Sequence, residues 1–327
     1  MRTLGRLLRL SLAPSAVADI AAGMILGAGW WPGGFEPFLL LAATLCVYHG
    51  GMALNDWADR VHDGETRPDR PIPSGRVPAG AAALLGFTLL LAGPWIALGA
   101  ARGPALILGG VAVLAAVYDL YGRGAWLGPL LLGLCRAGNL GAGLYFGRLA
   151  ALDRWPNLGE PGLELAPIPL LYGGYVFVVS CLGRLEDAED ARPLGRRPSF
   201  WVAAAAALML ALPILPVPVL GDAGLVPPGA EAEPSAEPST FLRDNRITLA
   251  SLVVAAGAFG LLRAAFRQRA WTRPEVMRTM GMALRRLLVF TAGVAVMRGT
   301  AHGLAVAAVV LLGYPLSYGL RRVFPPS

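Results

Sequence analysis

Long apolar runs separated by short polar stretches make up most of this chain. Ten such runs can be drawn, most of a length close to the roughly 17 to 25 residues that cross the hydrocarbon core of a bilayer. They fall near residues 12–31, 36–56, 79–100, 103–121, 126–147, 166–184, 199–220, 247–266, 281–298 and 302–320. Such runs predict membrane-spanning α-helices, because a helix satisfies its own backbone hydrogen bonds where water is absent. The pattern predicts an all-α, polytopic membrane protein.

The ninth run is ambiguous, because Arg285 and Arg286 interrupt it. It fits either a short span or a half-inserted helix that is followed by one true span. The basic pair near the C-terminus, Arg321 and Arg322, favours an even number of spans. We therefore expect nine to ten transmembrane helices, with ten favoured, in a single domain over residues 1–327.

Alternate loops differ in their arginine content. Fifteen arginines lie in the loops 1–11, 57–78, 122–125, 185–198 and 267–280, and five lie in the other set. Because basic loops stay on the cytoplasmic side, we expect a multi-pass protein of the cytoplasmic (inner) membrane whose aspartate-rich loops face the cytoplasm. The 221–246 loop is rich in Pro, Ala and Glu, which predicts a disordered external connection.

Composition agrees with this interpretation. The 327 residues are 55% hydrophobic and 15% charged, whereas about a quarter of the residues in a soluble domain are charged. The net charge is +7, and arginine supplies all of the positive side-chain charge, because the sequence contains no lysine. In a membrane protein such arginines orient the loops, so we expect no nucleic-acid partner. Cys46, Cys135 and Cys181 lie in apolar runs at unrelated spacings, a pattern that predicts neither disulfides nor a zinc site.

The stretch "NDWADRVHD" departs most from the apolar pattern. If the second helix continues through it, Asn55, Asp56, Asp59 and Asp63 fall on one arc of about 100°. Carboxylates held that close on one face repel one another strongly. The arrangement is therefore typical of a site that binds cations.

A second acidic stretch, "GRLEDAED", follows the sixth run. Glu186, Asp187 and Asp190 repeat the offsets of the first cluster, and both clusters end runs on the same expected side of the membrane. Mg²⁺ prefers hard oxygen ligands and binds through one or two carboxylates together with substrate phosphates. Arginines suit phosphate oxygens, and the same loops supply Arg67, Arg70, Arg76, Arg123, Arg192, Arg196 and Arg197. We therefore expect a metal–diphosphate site that opens into an apolar interior and takes a lipid-like diphosphate.

These motifs resemble those of a known family. "NDWADRVHD" matches the N-D-x-x-D-x-x-x-D signature of the UbiA superfamily of intramembrane prenyltransferases, and "RPDRPIPSGRV" resembles the stretch that follows it. "EDAED" before "GRRP" resembles the looser second motif of that family. Within the superfamily, "YDLYGRGAWLGPLLLGLCRAGNLGAG" resembles the EboC-like branch. The likeness covers nearly the whole chain in order.

The resemblance implies a UbiA-like helical bundle of about nine spans around a central cavity. It also implies a transferase that moves a prenyl group from an isoprenyl diphosphate to a lipophilic acceptor, aromatic or polyol-like, with Mg²⁺ as cofactor. By the motif match, one Mg²⁺ would be held by Asn55, Asp56, Asp59 and Asp63. The second would be held by Asp187 and Asp190 together with Glu186, and the catalytic residues would be Asp56, Asp59, Asp187 and Asp190.

Two positions depart from the family pattern. Members usually carry a basic residue, often lysine, after the fourth helix, where this chain has Arg123. Many also carry an arginine beside the early proline of the first helix, whereas here Ala13 precedes Pro14 and the nearest arginine is Arg9.

Candidate substrate-binding residues extend into the apolar runs. The set is Arg67, Arg70, Arg123, Arg136, Asn139 and Tyr118. Charged residues inside spans are rare and usually pair, so Asp19 and Arg136 fit either a functional pair or a contact between helices. Tyr118 fits either a cation-stabilising ring or an interfacial anchor.

One alternative function stays open on the sequence. A UbiA-fold transporter or scaffold of a lipid or isoprenoid pathway would keep the fold without catalysis. A CDP-alcohol phosphotransferase is disfavoured, because its D-G-x-x-A-R run is not found. The membrane lipids are expected partners, and the sequence leaves open the acceptor, the prenyl length and the oligomeric state.

Overall fold

The structure, a computed structural model, describes residues 2–122, 124–154, 156, 161–185, 194–214, 240–268 and 270–323. Within these residues the secondary structure is helical and contains no β-strand. The helices are α1 (Arg2–Leu7), α2 (Ala13–Ala28), α3 (Glu36–Ala58), α4 (Arg60–Thr66), α5 (Ala79–Leu98), α6 (Arg102–Leu120), α7 (Leu127–Arg154), α8 (Pro167–Arg184), α9 (Arg197–Ala211), α10 (Thr240–Asp244), α11 (Arg246–Arg267), α12 (Arg273–Val296) and α13 (Ala301–Val323).

The all-helical, membrane-spanning architecture that the apolar runs predict is confirmed. In the described part of the chain, seven helices are long and apolar enough to cross a bilayer: Leu10–Ala28, Glu36–Ala58, Ala79–Leu98, Arg102–Leu120, Arg246–Arg267, Arg273–Val296 and Ala301–Leu320. Helices α7 and α8 pack among them, and α9 is a shorter apolar helix. The protein is a multi-pass membrane protein, and the total of nine to ten spans stays a prediction.

Each apolar run corresponds to one helix, with differences at three boundaries. The helix of the seventh run, α9, ends at Ala211, just before Pro213, because a proline cannot donate the backbone hydrogen bond that would continue it. The helix of the ninth run, α12, begins at Arg273, since the Thr272 and Glu275 side chains form a capping box there. The helix of the fifth run, α7, continues to Arg154. Of the 221–246 loop, the described residues 240–246 form α10 and the start of α11, and the remainder lies outside the described residues.

The ninth run is one continuous helix of 24 residues, α12. Its two arginines do not interrupt it, and each lies against an aromatic ring of α13. Arg285 is 5.1 Å from the centre of the Tyr318 ring, and Arg286 is 5.7 Å from that of Tyr314. The structure thus favours a full span over a half-inserted helix.

The helices enclose a central space. Neighbours in the chain pack side by side from α5 through α6, α7, α8 and α9, then α11, α12 and α13, while α3 packs on α5 and α6. Helix α2 contacts α3, α7, α12 and α13, which closes the ring. Small residues allow α2 and α7 to touch through their backbones: a Cβ added at Gly143 would collide with the backbone of Ile20. Such close packing between glycines is typical of membrane helices.

Candidate functional site

The first acidic motif lies at the junction of α3 and α4. Asp59 separates the two helices, yet the hydrogen-bond pattern of a helix runs through it. The Asp59 N–H donates to the Asn55 carbonyl at 2.9 Å, and the Asp63 N–H donates to the Asp59 carbonyl at 2.9 Å. The structure thus places Asn55, Asp59 and Asp63 one above another on successive turns, with Asp56 beside Asn55.

Arg9 reaches this motif from the N-terminal segment. Its Nη2 donates to the Asn55 Oδ1 at 3.2 Å and to the Asp56 Oδ1 at 3.0 Å. The backbone of Arg9 is left-handed, with φ 48°, a region that residues other than glycine rarely adopt and that often occurs at functional sites. Burial lowers the pKa of Arg9, but the Asp56 carboxylate together with Tyr48 and Tyr118 raises it by more, so this pKa lies above the usual arginine value.

Arg70 approaches the same carboxylates from the loop after α4. This arginine is buried, and its Nη1 lies 2.5 Å from the Asp63 Oδ2 and 3.7 Å from the Asp56 Oδ1. Asp56 and Asp63 are each only 2% exposed. The Asp56 carboxylate is therefore held between two guanidinium groups through one oxygen. Its other oxygen, Oδ2, is buried and makes no hydrogen bond to any residue that the structure describes.

Asp119, at the end of α6, completes this polar cluster. It is 3% exposed, and its Oδ1 accepts a hydrogen bond from the Asn55 Nδ2 at 3.2 Å. The sequence shows both Asp119 and Arg9 near the ends of apolar runs. It gives no spacing that ties them to the motif, because the contacts join residues 64 and 46 positions apart.

The cluster borders a cavity of about 280 Å³, close to the lower end of the range for ligand pockets. Polar groups line the cavity at two levels. One level contains Arg9, Asn55, Tyr118 and Asp119, and the other contains Thr44, Tyr48, Arg136 and Asn139. Along α3, Thr44 and Asn55 are separated by about 16 Å at the helical rise. The rest of the lining is mostly apolar and includes Val47, Met52, Val111, Ala115, Leu132 and Leu287.

A buried ion pair organises the deeper level. Asp19 is fully buried and accepts hydrogen bonds from Arg136 Nη1 at 2.8 Å, Asn139 Nδ2 at 3.1 Å and Tyr172 Oη at 2.6 Å. The Asn139 Oδ1 in turn accepts from the Thr44 hydroxyl at 2.5 Å. The Asp19–Arg136 pair considered on the sequence is therefore present. It carries the partners that a buried charge requires.

The structure describes two of the remaining candidate residues. Asp59 is half-buried at the junction, and Arg67 is exposed at the end of α4 and does not line the cavity. Glu186, Asp187, Asp190 and Arg123 lie outside the described residues. Among the residues described, no group of three or more His, Cys, Asp or Glu side chains could hold a metal ion on its own. A complete metal site would need the second acidic stretch.

The donor atoms of the first motif fit Mg²⁺. The buried Asp56 Oδ2 has no hydrogen-bond donor among the described residues, and its lone pairs are therefore available to coordinate a metal ion. Asn55 and Asp59 add oxygen donors on the same helical face. Carboxylate and amide oxygens of this kind are the ligands that Mg²⁺ prefers.

Comparison with known proteins gives a family match over much of the chain. The model of the "UbiA prenyltransferase family" matches residues 16–230. The bacteriochlorophyll synthase 33 kDa chain of Cereibacter sphaeroides is 33% identical over 177 residues, which cover 52% of this chain and 56% of that protein. The digeranylgeranylglyceryl phosphate synthase of Methanothrix thermoacetophila is 38% identical over 95 residues, covering 29% and 36%. The chain thus spans about half, or less, of the length of these relatives.

A solved structure shows the same fold. The structure described as a UbiA homolog from Archaeoglobus fulgidus bound to GPP and Mg²⁺ superposes with a TM-score of 0.59 at 16% sequence identity. The superposition covers 94% of this chain and 99% of that one. The likeness extends over nearly the whole chain, which agrees with the helical bundle described above. The assignment to the EboC-like branch stays a prediction.

Proposed function

The chain belongs to the UbiA prenyltransferase family, and from that premise we propose that it transfers a prenyl group from an isoprenyl diphosphate to a lipophilic acceptor within the membrane. One observation carries the proposal. The Asn55–Asp56 motif, held by Arg9 and Arg70, borders a largely apolar cavity of about 280 Å³. Such a space offers charge to a diphosphate at one end and apolar walls to a prenyl chain.

The residues of the first motif have distinct proposed roles. Asn55, Asp56, Asp59 and Asp63 would hold one Mg²⁺, and Glu186, Asp187 and Asp190 would hold another. Bound Mg²⁺ would neutralise the negative charge that develops on the departing diphosphate. Arg9 and Arg70 hold the Asp56 carboxylate in place. Arg9 also lines the cavity, where a guanidinium group would bind phosphate oxygens well. We propose that Arg67 and Arg123 also bind the diphosphate, as the family resemblance implies.

The cavity walls serve the organic half of the reaction. Cleavage of the bond between the allylic carbon and the diphosphate oxygen leaves an allylic cation. The acceptor nucleophile then forms a new bond to that carbon and releases a proton. Apolar walls keep out water, which would otherwise capture the cation. The Tyr118 ring lines the cavity and offers a π-face to positive charge, while Arg136 and Asn139 offer polar contacts at the deeper level.

The arginine bias of the loops supports a location and an orientation for the protein. We propose that the protein lies in the cytoplasmic (inner) membrane with both acidic motifs at its cytoplasmic face, on the basis of the arginine bias of the loops. The acceptor is proposed only as a lipophilic molecule with a nucleophilic carbon or oxygen.

Turnover tests this function. Purified protein would be incubated with labelled farnesyl or geranylgeranyl diphosphate, Mg²⁺ and a membrane extract. We expect Mg²⁺-dependent diphosphate release and a labelled lipid product, both lost in Asp59→Ala and Asp187→Ala. Glu65→Ala, an exposed carboxylate on α4, is the matched control and should retain activity. Tight binding without turnover on any acceptor would instead favour the transporter or scaffold function.

A further inference from the structure

A second, smaller cavity adjoins the one described above. It has a volume of about 30 Å³ and lies between α2, α7, α12 and α13. Its polar lining consists of Ser15, Arg136, Arg285 and Ser317, and leucines form the rest. Arg136 belongs to the walls of both cavities. Two arginines therefore contribute to the wall of the small cavity.

The charge of Arg136 is already balanced. Its Nη1 donates to Asp19 at 2.8 Å, and its Nη2 donates to the Ser15 hydroxyl at 2.8 Å. Ser15 in turn donates to the Leu12 carbonyl at 2.8 Å. This side of the small cavity is electrically neutral, and the Ser15 proton is committed.

Arg285 differs from Arg136 in this respect. In the part of the chain that the structure describes, no carboxylate forms a salt bridge with it, and its buried Nε makes no hydrogen bond. The Arg285 guanidinium carbon instead lies over the Tyr318 ring, 5.1 Å from the ring centre. A ring face offsets only part of the cost of a guanidinium within a membrane protein. Among the described residues, the positive charge of Arg285 beside the small cavity thus has no carboxylate to balance it.

The position of the small cavity suggests what provides the missing charge. The Thr300 hydroxyl donates to the Gly29 carbonyl at 2.7 Å, which places the turn between α12 and α13 beside the end of α2. Helix α13 therefore returns toward the start of α2, where Ser317 and Ser15 lie within two turns of their helix ends. Tyr318, next to Ser317, is 50% exposed on the outer face of α13. The small cavity thus lies beside a helix that faces the bilayer.

We propose that the small cavity binds the anionic head of an amphiphile, through the oxygens of a carboxylate or phosphate group. Arg285 supplies the charge, while the Ser317 hydroxyl and the remaining Arg136 N–H groups supply further donors. A volume of about 30 Å³ admits such oxygens but no hydrocarbon chain, so the chain extends toward the bilayer or the larger cavity. The source is either a membrane phospholipid or a single-chain lipophilic molecule. This site does not depend on prenyl transfer.

Binding of paired amphiphiles tests the proposal. Purified protein in EDTA would be titrated with labelled hexadecyl phosphate and with hexadecyl phosphocholine, which has the same chain but a zwitterionic head. We expect the phosphate to bind at least about tenfold more tightly. Arg285→Gln should weaken its binding by about tenfold to a hundredfold, the range for hydrogen bonds to a charged group. Ser317→Ala should produce a smaller loss with the charge kept.

The neighbouring arginine provides the matched control. Arg286 Nη1 contacts the Tyr314 hydroxyl at 3.3 Å and does not line the small cavity. Arg286→Gln should therefore leave hexadecyl phosphate binding unchanged, as should Arg70→Gln, which is expected to abolish prenyl transfer. That pairing separates failure at this site from failure of the proposed function. Thermal melting of each variant verifies that it is folded.

The source of the head group follows from a second measurement. Native mass spectrometry of protein from phosphatidylglycerol nanodiscs would show retained lipid in the wild type and loss in Arg285→Gln if the bilayer supplies it. Hexadecyl phosphate binding without such retention would identify a single-chain molecule. Equal affinity for the two hexadecyl compounds, unchanged binding in Arg285→Gln, or equally strong competition by inorganic phosphate would overturn the proposal.

Discussion

Arg9 and Asp56 lie 47 positions apart in the sequence and are joined by a 3.0 Å contact between Nη2 and Oδ1. The contact fixes the N-terminal segment against the acidic motif at the end of α3. It also gives the Asp56 carboxylate a second guanidinium partner besides Arg70. Arg9 from the N-terminal segment and Arg70 from the loop after α4 therefore orient one carboxylate.

Replacement of Arg9 by glycine separates its side chain from its backbone. Glycine adopts the left-handed conformation seen here, at φ 48°, without steric cost, so Arg9→Gly should keep the local backbone and lose only the bonds of the side chain. Loss of the charge-assisted bonds to Asn55 and Asp56 should lower kcat/KM for the isoprenyl diphosphate by about tenfold to a hundredfold. Steady-state turnover and thermal melting measure the two effects.

Arg76→Gln is the control for that experiment, because Arg76 is an exposed arginine in the loop after α4. It should leave kcat/KM unchanged. An unaltered kcat/KM in Arg9→Gly would show that Arg9 has no part in the reaction. A folding defect in Arg9→Gly would show that the side chain stabilises the local structure.

The helices could be predicted from the sequence because a helix that crosses the hydrocarbon core of a bilayer needs a long run of apolar side chains. The motif face could be predicted because a helix places Asn55, Asp59 and Asp63 on successive turns. The sequence also allowed an Asp19–Arg136 pair, since charges within spans seldom stay unpaired.

The partners of the motif could not be predicted from spacing. Arg9 and Asp119 reach Asn55 across 46 and 64 positions, and only the packing of α2, α3 and α6 sets those contacts. Arg67 and Arg70 are equivalent candidates by sequence, yet Arg67 is exposed and Arg70 is buried, with only 6% exposure. A three-residue offset in an irregular loop does not define a face, so the two could not be distinguished.

The buried ion pair should dominate the local stability. Asp19→Ala would leave Arg136 without its carboxylate partner in a buried site, which typically costs about 3–5 kcal/mol. The expected result is a large fall in the melting temperature in detergent. The double variant Asp19→Ala/Arg136→Met should recover much of it, because it removes the uncompensated charge. Equal melting temperatures for the single and double variants would contradict this account.

The contact between α2 and α7 should tolerate no added methyl group. A Cβ at Gly143 would collide with the Ile20 backbone, and overpacking of this kind costs about 1–3 kcal/mol. Gly143→Ala should therefore lower the melting temperature. Gly110→Ala is the matched control, since a Cβ there meets nothing within 4 Å. That control should be neutral or should stabilise the protein by up to about 1 kcal/mol through helix propensity.

Asp56 and Asp63 should differ in their effect on metal dependence. Asp56 keeps a buried Oδ2 that makes no hydrogen bond to the described residues, whereas Asp63 is bound to Arg70. In the proposed site Asp56→Asn removes a ligand that has a free oxygen. Asp63→Asn removes a ligand whose carboxylate is bound to Arg70, so that until Arg70 moves Asp63 acts mainly by orienting its neighbour. Loss of an orienting partner typically weakens metal binding by about tenfold to a hundredfold. The Mg²⁺ concentration for half-maximal binding of labelled farnesyl diphosphate should rise by about tenfold in Asp63→Asn and further in Asp56→Asn.

The comparison of these two variants also tests whether Arg70 moves. Equal shifts in Asp56→Asn and Asp63→Asn would mean that Arg70 releases Asp63 when the metal and diphosphate bind. In that case Arg70→Gln should lower the Mg²⁺ requirement, because it frees the Asp63 carboxylate in advance. If Arg70 instead stays on Asp63, Arg70→Gln should weaken diphosphate binding at every Mg²⁺ concentration. Glu65→Gln, on the exposed side of α4, should change neither quantity.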